Sequence, residues 1–99
     1  MSTEQPAFSI VAPVFNEKGS LMEFYRRVHD VMGSTGESWE LVLVDDGSQD
    51  GSTDMIRQLA VDDAHVRPVI FARNFGHQIA VTAGLDYSRG KAVTIIDSD

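Results

Sequence analysis

The chain has 99 residues, room for one domain at most, and 42% of them are hydrophobic, an ordinary globular share. Fifteen acidic side chains against eight basic ones give a net charge of −7, which argues against nucleic acid and against a polybasic membrane patch. Cysteine is absent, so disulfides and thiolate metal sites are excluded and a reducing cytoplasm is compatible; no basic, apolar leader opens the chain, and no run approaches the ~18 apolar residues of a membrane span.

Residues 1–7 read as a tail. Phe8 to Val14 reads as the first strand, with Pro13 expected at a strand end or an edge because it lacks a donor N–H. Asn16 to Gly19 makes a turn, and Ser20-x-x-Glu23 has the form of a capping box ahead of Leu21, Phe24, Tyr25, Val28 and Met32 at helical spacing. Gly33 and Gly36 end that helix. Leu41 to Val44, preceded by Trp39-Glu40, is a short β-branched run that predicts a strand buried on both faces. It stops at Asp45-Asp46-Gly47-Ser48, and a second turn cluster, Asp50-Gly51-Ser52, follows. Ser52 or Thr53 is placed to cap a second helix, which carries Met55, Ile56, Leu59 and Ala60 on one face and ends at Asp62-Asp63. Val66 to Ala72 predicts a third strand with Pro68 near its start, and Arg73 to Gly76 a turn. His77 to Ser88 predicts a third helix with Ile79, Ala80, Ala83 and Tyr87 inward, and Lys91 to Ile96 a fourth strand. The expected fold is α/β, a Rossmann-like β-α-β-α-β-α-β parallel sheet with right-handed crossovers. A strand followed by acids is an unlikely finish for a domain, so a piece of a longer protein is expected.

In a parallel sheet the four strand ends share one rim, the edge at which open α/β sheets bind ligands. That rim receives Pro13 to Glu17, Asp45-Asp46, Arg73-Asn74 and Asp97-x-Asp99. Each has a plain reading as turn chemistry, a helix-dipole partner or a surface ion pair. Four coincidences on four consecutive strands are harder to set aside. So many carboxylates on one rim call for a cation among them: Arg73, and a hard divalent ion such as Mg²⁺ or Mn²⁺ held through carboxylate and diphosphate oxygens. No glycine-rich or Walker loop is present to hold phosphate instead. Phe15 and Phe75 flank the rim, as does His77; His29 is expected on a helix face and His65 in a loop.

These motifs resemble a family. Ala12-Pro13-Val14-Phe15-Asn16-Glu17, Val44-Asp45-Asp46-Gly47-Ser48-x-Asp50-Gly51-Ser52, Arg73-Asn74-Phe75-Gly76 and Asp97-Ser98-Asp99 are similar to those of the inverting family 2 glycosyltransferases with a GT-A fold. The polyprenyl-phosphate glycosyltransferases, which resemble dolichol-phosphate mannose synthase, are the subgroup that looks nearest. The stretch Arg73 to Gly84 is similar to bacterial enzymes that load glucose or another hexose onto undecaprenyl phosphate. The resemblance covers Phe8 to Asp99 and implies the nucleotide-sugar-binding half of a GT-A domain.

By that resemblance Pro13, Phe15 and Glu17 match the first nucleotide-contacting motif, with Phe15 where a tyrosine is common. Asp45 and Asp46 match the pair of which one binds the base, and adjacent side chains that diverge suggest base and ribose for the two. Arg73 matches a basic position near the nucleotide. Asp97 and Asp99 match the Asp-x-Asp that binds the metal and the sugar diphosphate. The implied donor is a nucleoside-diphosphate sugar, UDP favoured over GDP; the implied acceptor is a polyprenyl phosphate, at the cytoplasmic face of a membrane. A lipid phosphate is already anionic and needs no general base. A sugar hydroxyl would need one, and no such base is identifiable up to Asp99.

Two other readings stay open. A non-catalytic nucleotide-binding module would share the same rim without the acceptor half. A phosphoacceptor signalling domain would also have paired acids after an early strand, but it wants an acceptor aspartate ending the third strand, where this chain has Ala72-Arg73.

Overall fold

The computed structural model describes residues 5–98, and the chain runs β1 (Phe8–Val14), α1 (Lys18–Ser34), β2 (Trp39–Asp45), α2 (Ser52–Asp62), β3 (Val66–Ile70), α3 (His77–Tyr87) and β4 (Ala92–Ile95). The strands form one parallel sheet in the order β3-β2-β1-β4. The sequence therefore predicts the α/β alternation correctly. β2 is buried at all seven positions, as its unbroken apolar run requires.

Side chains alternate across the sheet with period two and build two unequal cores. Ile10, Ala12, Val14, Leu41 and Leu43 face α1 and α2, where they meet Leu21, Val28, Ile56 and Leu59. Val11, Val42 and Val44 face α3 and meet Ala80. The second core is thin because α3 lies very close to the sheet. A Cβ on Gly84 would stand 2.3 Å from Val11 Cγ1, so only glycine allows this approach. The inward stripe of α3 is therefore Ala80 and Gly84. Ile79 and Tyr87, expected to face inward, are 52% and 56% exposed. All four residues of β4 are exposed.

Both strand prolines sit where a missing donor costs no ladder bond. The Val11 carbonyl accepts from Ile96 N–H on the β4 side, and Pro13, two residues on, faces the same way but lies past the last paired residue of β4. Pro68 lies in β3, which is an edge strand. That strand ends at Ile70, two residues before expected, with one further bond from Phe71 N–H to the Asp45 carbonyl. Its sole neighbour, β2, ends at Asp45, so no ladder is left to extend it.

The helix starts differ from expectation. Ser20 does not form a capping box: it lies inside the first turn of α1 and donates to Glu17 Oε2 at 3.0 Å. The leading amides are capped from another loop. Asn16, Glu17 and Lys18 N–H donate to Ser48 Oγ (2.9 Å), Ser52 Oγ (3.1 Å) and Asp50 Oδ2 (3.0 Å). Asn16 returns the contact by accepting from Gln49 N–H at 2.8 Å, and it does so at φ 53°, a region asparagine tolerates better than most residues. For α2 the N-cap is Gly51 at φ 101°, while Ser52 and Thr53 are spent elsewhere.

At the amino ends of the strands, Glu40 is buried. It accepts from Ser9 Oγ (2.5 Å), Arg89 N–H (2.6 Å) and Arg67 Nη1 (2.9 Å). Burial pushes its carboxyl up, but these donors prevail and hold it below the ordinary range. Between α1 and α2, Asp63 accepts from Tyr25 Oη (2.6 Å) and His65 N–H (2.9 Å), with His65 stacked on Trp39 at 4.0 Å. His29 and His65, one expected on a helix face and the other in a loop, thus meet around Trp39 and Asp63.

Candidate functional site

The strand order reverses beside β1. From β1 the chain moves to β2 and then β3 on one side, and it returns to β4 on the other. A parallel sheet has a crevice at such a switch point, outside the carboxyl ends of its strands. Here a cleft of about 430 Å³ opens at that place. Pro13, Phe15 and Glu17 line it from the β1 end, Asp46 from β2, Asn74 and His77 from the β3–α3 connection, and Asp97 and Ser98 from β4. A second cleft of about 270 Å³ adjoins it, with Phe15 and Asn74 shared and Asn16, Gln49 and Arg73 added. The four rim segments expected from the sequence meet here.

The individual residues differ in what they can offer. Phe15 is 46% exposed and lines both clefts. Glu17 is half-buried at the start of α1 and accepts from Ser20. Asp97 is exposed in the larger cleft, and Ser98 behind it is buried, donating to the Pro13 carbonyl at 3.1 Å. Arg73 lies on the smaller cleft with its guanidinium 4.6 Å from the centroid of the Phe75 ring. His77 lines the larger cleft at the first position of α3.

The paired acids serve different elements. Asp45 is 0% exposed; its oxygens accept from Ser48 N–H (3.0 Å) and the Thr53 hydroxyl, so it folds its own loop and does not line either cleft. Asp46 is 3% exposed, touches the larger cleft, and accepts from Asn74 Nδ2, Phe75 N–H and Gly76 N–H. Their divergence is what adjacent residues on opposite faces of a strand end must show. Asp50, the third acid of this loop, is held below the usual carboxylate range, first by the Ser52 hydroxyl and then by the Lys18 and Ser52 amides, with slight burial opposing.

Carboxylates of Glu17, Asp46 and Asp97 give the larger cleft oxygen donors of the kind Mg²⁺ and Mn²⁺ take. The donor chemistry fits a hard cation. Among the described residues no three metal-ligating groups converge on one point, and Asp99, the second acid of the expected metal pair, lies outside those residues. No helix among the described residues is long and apolar enough to cross a membrane.

Sequence reasoning placed Asn74 on the rim but gave it no role, and did not single out Ser98 or the Ser48–Asp50–Ser52 group as structural parts of the site. Ser98 lies between two residues it did select. Ser48 and Asp50 read as turn residues, and Ser52 as a cap for α2.

Comparisons with known proteins bear on the family and the fold. Residues 9–99 match the family model described as glycosyl transferase family 2. The chain is 48% identical to the uncharacterized glycosyltransferase YkcC of Bacillus subtilis (strain 168), over 93% of this chain and 28% of that protein. It is 43% identical to a bactoprenol glucosyl transferase of Shigella phage SfV, over 92% of this chain and 30% of that protein. Its fold matches that of the Pyrobaculum calidifontis mannosyltransferase PcManGT, solved in complex with GDP-Man and Mn²⁺, with a TM-score of 0.80 and 25% identity over 98% of this chain and 28% of that one. The chain therefore spans under a third of the length of the relatives it matches.

Proposed function

This chain belongs to glycosyl transferase family 2, and we propose that it forms the donor-binding part of an inverting glycosyltransferase that moves a hexose from a nucleoside-diphosphate sugar to a polyprenyl phosphate. The observation that carries the proposal is the cleft at the β1/β4 switch point, which joins an exposed aromatic, Phe15, to carboxylates from three strand ends. The ring of Phe15 offers a face for a base. Arg73, on the adjoining cleft, supplies positive charge for the diphosphate. Pro13 and Glu17 shape the wall beneath the nucleotide, and Asp46 closes it from β2.

Asp97 would hold a divalent cation together with Asp99 and the diphosphate oxygens. Bound there, Mg²⁺ or Mn²⁺ supplies Lewis-acid stabilisation of the charge that develops on the leaving group. The acceptor phosphate oxygen attacks the anomeric carbon from the face opposite the nucleotide, the bond to the nucleoside diphosphate breaks, and the configuration inverts. An anionic phosphate needs no proton removed before it attacks. UDP is the favoured nucleotide and glucose the favoured sugar. The relative named as a bactoprenol glucosyl transferase and the neighbour solved with GDP-Man and Mn²⁺ support the acceptor class and the metal. Such an acceptor places the work at a membrane surface, on its cytoplasmic side.

Titration calorimetry of the whole protein with UDP and GDP, with and without Mn²⁺, tests this reading. Tighter UDP binding in Mn²⁺, lost in Asp97→Asn or Asp99→Asn, is the expected result. Metal-dependent binding that survives both substitutions would move the metal site elsewhere.

A further inference from the structure

We propose that Asp46 is a positioning residue: its carboxylate latches the Asn74–Gly76 loop onto the end of β2 and thereby sets where Arg73 and His77 stand at the clefts. A carboxylate has about four acceptor positions. Oδ1 takes Phe75 N–H at 2.7 Å and Gly76 N–H at 3.3 Å; Oδ2 takes Gly76 N–H at 3.1 Å and Asn74 Nδ2 at 3.0 Å. The four contacts are made by three N–H groups, that of Gly76 being shared between the two oxygens, and they all come from one loop, 28 to 30 residues away in sequence. The Asp46 backbone adds to the tie. Its carbonyl accepts from Asn74 Nδ2 at 3.1 Å, and its N–H donates to the Val14 carbonyl at 2.8 Å, so one residue joins the ends of β1 and β2 to the β3–α3 loop.

A second feature points the same way. Gly47 has φ 75°, and a Cβ there would stand 2.3 Å from the Arg73 carbonyl carbon and 2.4 Å from Asn74 N. The loop backbone therefore lies directly on Gly47 while Asp46 grips it from the side. From the gripped Phe75 amide the effect passes to its ring, which meets Phe71 edge-on at 5.5 Å and carries the Arg73 guanidinium on its face. The Asp46 carboxylate thus reaches Arg73 through Phe75, without touching it. Asp-Asp-Gly and Arg-Asn-Phe-Gly, separate in sequence, act as one unit.

The latch stands on this geometry alone; its effect on nucleotide affinity rests on the donor-binding reading above. A paired exchange separates positioning from direct contact. In Asp46→Asn, two amide NH₂ groups confront each other across the Oδ2–Asn74 contact. In Asn74→Asp, two carboxylates do. Combining Asp46→Asn with Asn74→Asp restores a donor–acceptor pair there, and the new amide oxygen can still accept from Phe75 and Gly76.

The whole protein is measured by amide hydrogen exchange at Phe75 and Gly76 and by calorimetric affinity for UDP and GDP in Mn²⁺. Each single variant is expected to lose roughly tenfold or more in both quantities, the scale of a hydrogen bond to a charged group, and the pair to recover part of both, since the Asp46 carbonyl does not regain its Asn74 donor. Loss of affinity in Asp46→Asn with protection intact would overturn the proposal, as would a pair that recovers protection but not affinity. Either result would make the carboxylate a direct ligand contact. Should Asp46→Asn fail to fold, Asn74→Ala removes a single donor, and a severalfold loss of both quantities is expected from it; unchanged exchange would overturn the latch. If exchange follows the expected order while even the parent protein binds neither nucleotide, the latch holds and the donor-binding reading fails.

Discussion

The Ser98 hydroxyl donates to the carbonyl of Pro13 at 3.1 Å, joining residues 85 positions apart and fixing the segment that carries Asp97 against the end of β1. Ser98 is buried, so its loss leaves the Pro13 carbonyl without that donor. Ser98→Ala is expected to cost roughly 1 kcal/mol of stability. It should also weaken metal-dependent binding of a nucleoside diphosphate more than binding of the nucleoside, because Asp97 is displaced while Phe15 is not. Thermal unfolding and paired calorimetry on the whole protein check both.

Gly47 is fixed twice, by its positive φ and by the Arg73–Asn74 backbone lying where a Cβ would go. Gly47→Ala is expected to destabilise by roughly 2 kcal/mol or more, beyond the ~1–2 kcal/mol of the left-handed conformation alone. Gly36, also at positive φ but with open space around it, is the control: Gly36→Ala should show the conformational cost only. Chemical denaturation of the two variants side by side decides it.

The predicted strands and their parallel arrangement were legible because each apolar run stops at turn residues and alternates with a helical pattern. The shared rim followed from that. Strand order was not legible, since nothing local in Ala92–Ile95 specifies which side of β1 it joins. The inward face of α3 was misread for a physical reason: Ile79 and Tyr87 dominate a hydrophobic pattern, while contact at Gly84 depends on having no side chain at all. The cap of α1 was misread because Ser20 has a suitable partner in sequence, and the residues that cap the helix belong to a different loop.

Tyr25 is pushed up to about 12, first by burial and then by its hydrogen bond to the Asp63 carboxylate. Its folded value exceeds the usual 10, so its contribution to stability is fully present below pH 10 and is lost as the pH rises towards 12. Tyr25→Phe should therefore cost roughly 1 kcal/mol at neutral pH and flatten the alkaline fall in stability. Unfolding curves from pH 7 to 11.5 test this, and the ultraviolet difference titration of parent against variant should isolate one phenol ionising near 12.

Arg73 rests on the Phe75 ring beside the smaller cleft. Arg73→Ala is expected to weaken nucleoside-diphosphate binding by roughly tenfold or more, the scale of a charge-assisted hydrogen bond, and nucleoside binding far less. Equal losses would assign Arg73 to folding or to the base. Arg73→Lys should recover only part of the affinity, since an ammonium keeps the charge but not the planar fork.

The crossed caps of α1 also constrain the order of folding. Asn16, Glu17 and Lys18 take their hydrogen-bond acceptors from residues 32 to 35 positions later. On a ribosome, then, α1 can acquire its helical middle early but cannot finish its first turn until the β2–α2 loop has emerged. The closing of that turn is coupled to the docking of β2 beside β1, a non-local event whose loop-closure entropy must be met before the caps reward it. The polar start of α1 should accordingly form late, with low φ-values at Ser48 and Asp50, while Leu21 and Val28 consolidate with the sheet.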